Sequence, residues 1–178
     1  PNDNIERVIK KASSNDGVEY EEITYEGYGP CGVAVIVEAA TDNRNRTGGE
    51  VRHYFDKFGG NLGQPGCVGY LFSEKGIIVI EKDDGIDEDE LMECALEAGA
   101  SDFEASEEGF EITTEPDDLS AVRQALENKG YKFISAEVEK IPSVYVEIPD
   151  EDSVKKMNLL LEHLEDNDDV VDVWHNWD

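Results

Sequence analysis

Between Thr41 and Lys57 the chain gathers Arg44, Arg46, Arg52 and Lys57, with His53 among them and Asp42, Glu50 and Asp56 opposing. The run Thr41-Asp42-Asn43-Arg44-Asn45-Arg46-Thr47 is dense in hydrogen-bonding side chains and leads into a helix N-terminus. Arginine forks, side-chain amides and free backbone N–H groups are the chemistry of anion recognition. Four of the 15 bases fall in this stretch, although the chain as a whole is strongly acidic. Arg44, Asn45, Arg46, Arg52, His53 and Lys57 are therefore the candidate anion or nucleic-acid contacts. A plainer reading stays open, in which Arg44 and Arg46 pair with local carboxylates on a surface loop.

Other residue patterns point to less. Gly27, Gly29 and Gly32 spell G-x-G-x-x-G, but the valine- and isoleucine-rich run Val33–Val37 follows where a dinucleotide site needs a helix. A tight strand-to-strand turn is the better reading. Gly27, Gly29, Gly59, Gly60 and Asn61 are taken as structural loop residues. His53, His163 and His175 lack metal partners at helical spacing, and Cys31, Cys67 and Cys94 form no C-x-x-C. The acidic run Asp83–Glu90 fails the calcium-loop register because Gly85 comes too early. No nucleophile elbow is present, so no catalytic residue, metal or cofactor is expected.

Composition narrows the classes. The chain has 178 residues and a formal net charge of -28, from 15 Lys+Arg against 43 Asp+Glu. Such a balance opposes general polyanion binding, since each phosphate must cross a repulsive field. Residues 81–118 alone carry 17 acids and one base. This acidic stretch suits a solvated face or a basic protein partner. Apolar runs are too short for a membrane-spanning helix, and three scattered cysteines fit a reducing, cytoplasmic setting.

The elements that must position these residues follow from periodicity. Asp3–Ala12 reads as a helix stub, and Tyr20–Tyr25 and Val33–Ala40 as strands. Thr47 with Glu50 forms a capping box for a helix ending at Gly59, with Val51, Tyr54, Phe55 and Phe58 as its apolar stripe. Cys67–Phe72, Ile77–Ile80, Phe103–Ser106, Phe110–Thr113, Tyr131–Ile141, Val144–Ile148 and Val170–Trp174 read as strands. Asp87–Ala98, Asp117–Lys129 and Glu151–Glu165 read as helices. The fold class expected is α+β, with two ferredoxin-like (split βαβ) domains, the second inserted into the first. Residues 1–19 would be a helical remnant and linker, 20–74 with 143–178 the first domain, and 75–142 the inserted one.

The stretches Tyr25–Pro30, Thr41–Thr47, Glu50–His53 and Gly59–Gly63 resemble the YebC/PmpR family, whose eukaryotic members are mitochondrial translational activators. Asp3–Arg7, Leu164–Asp166 and His175-Asn176 match near the ends, so the likeness covers essentially the whole chain. Cys31 and Cys67 stand where the family usually has glycine and serine, and Gly48-Gly49 where it has better helix formers. The resemblance implies a three-domain cytoplasmic protein whose basic N-terminal domain is here reduced to its last helix. It further implies a non-catalytic regulator of gene expression. Bacterial members act as probable transcriptional regulators on promoter DNA, and others act on translation at the ribosome. DNA or ribosomal RNA would be met mainly through the absent domain, and no membrane is involved. The alternative is a small-molecule-binding or acylphosphatase-like ferredoxin-type domain, with Arg44 and Asn45 holding a phosphate.

Overall fold

The computed structural model describes residues 19–178, so the helix expected over Asp3–Ala12 lies outside the described residues. In chain order the elements are β1 (Glu21–Tyr28), β2 (Ala34–Thr41), α1 (Arg44–Lys57), β3 (Asn61–Leu62) and β4 (Phe72–Glu81). They continue as α2 (Glu88–Ala98), β5 (Asp102–Ala105), β6 (Gly109–Thr114), α3 (Leu119–Asn128), β7 (Ser135–Pro142), α4 (Glu151–Asp166) and β8 (Val170–His175). The class is α+β, with two four-stranded sheets. The chain divides into two compact units: residues up to Phe72 together with Pro142–Asp178, and Ser73–Ile141.

The first unit is built on a sheet of order β3-β1-β2-β8 whose strands pair antiparallel. Its centre is β2, where Ala34, Val35, Ile36 and Val37 are all buried because both faces are covered. On one face Val33, Val35 and Val37 meet Val51 and Phe55 of α1 and Met157, Leu160 and Leu164 of α4. On the other, Ala34 and Ile36 pack with Val68, Trp174 and Phe72. The start of β2 is held by Asn176, whose side-chain oxygen accepts from the Ala34 N–H at 2.7 Å. β1 and β2 form a hairpin around a 3-10 turn at Pro30–Gly32, as the glycine spacing implied.

Three elements differ from the expectation. Helix α1 begins at Arg44, because the Asn43 side chain caps it by accepting from the Arg46 N–H at 3.1 Å. Arg44, Asn45 and Arg46 thus stand in the first helical turn, and Thr47 is buried inside the helix rather than capping it. The reading of Cys67–Phe72 as a strand also gives way. Glu26, buried in β1, accepts from the N–H groups of Gly66, Val68 and Gly69, gathering them into a turn that β4 follows only from Phe72. Val144–Ile148 contributes a single bridge, Val146 to Trp177, rather than a strand.

The second unit orders its strands β5-β6-β4-β7. Ile78 and Ile80 of β4 and Phe110 and Ile112 of β6 pack on Leu91 and Ala95 of α2 and on Val122 and Leu126 of α3. Alternation along the strands sends one set of side chains to this core and the other to the opposite face. Asp87 caps α2, accepting from the N–H groups of Asp89 and Glu90.

Candidate functional site

Helix α1 places Arg44, Asn45, Gly48, Gly49 and Arg52 on one face, since positions near i, i+4 and i+8 line up along a helix. That face forms one wall of a cleft of about 410 Å³. The remaining walls are Ile23–Glu26 of β1 and the Leu62–Pro65 segment. The opposing segment is held by short approaches. A Cβ at Gly27 would lie 2.7 Å from the Asn61 carbonyl oxygen, and one at Gly60 only 2.3 Å from that of Tyr28, so both positions exclude any side chain. β3 can therefore pair against β1 at Gly27 and Tyr28, and the Gly63 N–H donates to the Glu26 carbonyl at 2.9 Å. Gly59 follows α1 with φ 80°, and Gly29 sits against Met157.

The Thr41–Thr47 run divides its labour. Thr47 Oγ1 lies 2.7 Å from Thr41 Oγ1 and 2.8 Å from Asp169 Oδ2, a buried knot that ties the start of α1 to the loop before β8. Arg46 donates from Nη2 to Asp169 Oδ2 at 3.0 Å and to Asp42 Oδ1 at 2.8 Å. These bonds, that to Asp169 foremost, strengthen the hold of Arg46 on its proton. Arg46 is thus committed to carboxylates, as the plainer reading had it, and does not line the cleft. Nearby, Glu50 Oε2 accepts from Asn167 at 2.7 Å, so its side chain braces α1 against the end of α4.

What remains faces the cleft with open valences. Arg44 pairs with Glu21 at 2.9 Å, an exposed and replaceable contact. Among the described residues, the side chains of Asn45, Arg52 and Gln64 make no hydrogen bond or ion pair. The Tyr25 hydroxyl is buried without a partner, and desolvation raises its pKa against the opposing pull of Arg44. His53 and Lys57 are exposed and lie outside the cleft lining, with the Lys57 ammonium 5.5 Å from the centre of the Phe58 ring. The structure therefore brings Arg44, Asn45 and Arg52 together and leaves Arg46, His53 and Lys57 apart. Tyr25 and Gln64 were missed by sequence reasoning. The signal that could have found Gln64 is the glycine-flanked return of the loop toward β1. Among the described residues no cluster of three His, Cys, Asp or Glu side chains could hold a metal ion.

Residues 20–177 match the family model described as the TACO1/YebC second and third domain. The chain belongs to the TACO1/YebC family. A relative from Ruminiclostridium cellulolyticum, named a probable transcriptional regulatory protein, is 60% identical over 179 residues, covering 100% of this chain and 72% of the relative. One of the same description from Clostridioides difficile is 56% identical, covering 100% of this chain and 75% of its own length. Among solved structures, a conserved hypothetical protein from Aquifex aeolicus superposes with a TM-score of 0.81 at 47% identity. That match covers 100% of this TACO1/YebC-family chain and 73% of the other. Among the described residues no helix is long and apolar enough to cross a membrane.

Proposed function

We propose that the chain is part of a non-catalytic, cytoplasmic regulator of gene expression that contacts nucleic acid through the α1 cleft. The observation that carries this reading is the convergence of Arg44 and the unpaired Arg52 on one concave surface of an otherwise anionic molecule. Its close relatives are named probable transcriptional regulatory proteins, which favours DNA or RNA as the polyanion. Promoter DNA and ribosomal RNA both present the phosphates such a surface needs, and the acidic second unit would repel non-specific attachment or receive a basic protein. We further propose that the second unit is a ferredoxin-like module inserted in the first. Its strand–helix–strand–strand–helix–strand order and its sheet order β5-β6-β4-β7 support this. The first unit runs strand–strand–helix–strand–helix–strand, so the ferredoxin-like description is kept for the second.

Replacing both Arg44 and Arg52 by glutamine in the intact protein tests the interface. Gel-shift titrations across salt should show weaker binding and a log-log salt slope shallower by about 1.5. Unchanged affinity and slope would remove the cleft from the interface. A second reading has one observation in its favour, because Arg44 and Asn45 do line a discrete cleft. A small-anion or acylphosphatase-like site would then hydrolyse acyl phosphates or bind inorganic phosphate, and a hydrolysis assay on acetyl phosphate decides it.

A further inference from the structure

We infer that the α1 cleft seats one unstacked nucleotide of a single strand, rather than merely touching phosphates along a duplex. This rests on the nucleic-acid reading above and specifies what the cleft holds.

The first support is the floor of the cleft. Gly48 and Gly49 lie within α1, where glycine is among the least favourable residues. Packing does not demand them. A Cβ at Gly49 would meet nothing within 4 Å, and one at Gly48 would meet only the Tyr25 ring edge and hydroxyl, at 3.6 Å or beyond. Gly49 therefore leaves bare helix backbone beneath open space, with the Tyr25 ring edge beside it at Gly48, a surface on which a planar ring can lie.

The second support is the arrangement around that floor. Arg44 and Arg52 stand eight residues apart on one helix, about 12 Å along its axis, and bracket the glycines. Cations on both sides of this floor suit the phosphates flanking one extruded base. Asn45 and Gln64 each carry a donor and an acceptor without internal partners among the described residues. Amide side chains are the groups that read a base edge, which a stacked duplex keeps inside its grooves. The volume of about 410 Å³ falls within the range of small-ligand sites.

The test uses the intact protein and three probes: a single-stranded RNA with 2-aminopurine at its centre, the same sequence as a duplex, and free AMP. Gly49→Leu puts a bulky side chain on the cleft wall, removes no charge and replaces a poor helix former by a good one, so circular dichroism melting should show a fold at least as stable. Gly49→Leu should weaken single-strand binding about tenfold and duplex binding far less. In the parent protein 2-aminopurine fluorescence should rise on binding as the base leaves its neighbours, and AMP should compete only weakly. Single-strand affinity untouched by Gly49→Leu, an equal loss on the duplex, or no fluorescence rise would overturn the inference. So would AMP binding as tightly as the oligonucleotide, which would mark a free-nucleotide site. If the arginine double variant weakens binding while Gly49→Leu does not, the cleft is a phosphate contact only, and the inference fails while the functional reading stands. If neither variant matters, both fail.

Discussion

Cys31 occupies the left-handed region at φ 60°, the one non-glycine residue described there, on an exposed turn between β1 and β2. An L side chain is disfavoured in that conformation, so Cys31→Gly should raise stability by about 0.5–1 kcal/mol, read as a higher urea midpoint at unchanged slope. Thr47 makes the opposite case. Its hydroxyl reaches both Thr41 and the buried Asp169, so Thr47→Val should destabilise by about 1–2 kcal/mol in the same measurement, since it removes a buried hydrogen bond to a carboxylate that Arg46 alone of this pair then holds. The Thr41–Thr47 run was visible in the sequence as a dense polar motif, but its division of labour was not. Which arginine is consumed depends on Asp169, 123 residues away, and no local pattern carries that contact.

Element boundaries were legible where local signals were unopposed and lost where two signals competed. Asp87 and Gly99 bound α2 as their types predict. At α1, Asn43 and Thr47 are both good caps, and the earlier one wins because Thr47 finds buried partners. Cys67–Phe72 has strand-like composition, yet the Glu26 carboxylate offers its amides a better set of bonds than any sheet edge. Within α1, Gly49→Ala should add about 0.5–1 kcal/mol, again by urea unfolding, because the methyl enters open space. On the second sheet, Glu104 of β5 stands directly opposite Glu111 of β6. Burial, then Glu104 and Asp102, raise the Glu111 pKa above its ordinary value. Below the ordinary carboxylate range both folded and unfolded chains hold this proton and no penalty exists. As pH rises past the unfolded pKa only the unfolded chain releases it, so stability falls until the folded pKa is passed. Glu111→Gln should therefore stabilise by about 0.5 kcal/mol at neutral pH, with the gain fading in acid, as thermal melts across pH would show.

At the scale of the whole molecule, the chain carries a net charge of -28 and a cleft that presents two arginines. Long-range repulsion and short-range attraction then respond oppositely to salt. The association rate of the 178-residue chain with a single-stranded oligonucleotide should rise severalfold between about 10 and 150 mM salt, as the repulsive field is screened. The dissociation rate should rise over the same range, as the arginine–phosphate contacts weaken. Stopped-flow anisotropy separates the two, and an association rate that falls with salt would show a steering cationic surface elsewhere. Composition foresaw this tension, since the basic segment between Thr41 and Lys57 stood out against the acidic total. The cleft itself was hidden, because Tyr25 and Gln64 join α1 only through the folded sheet and the Glu26-held turn. The central claim is that nucleic acid lies in this cleft. The most direct measurement is ultraviolet crosslinking of the intact protein in cells, with mass spectrometric mapping of the nucleotide-bearing peptides. Adducts should fall on Tyr25 and on residues 44–52 and 62–65; adducts confined to residues outside these stretches would contradict it.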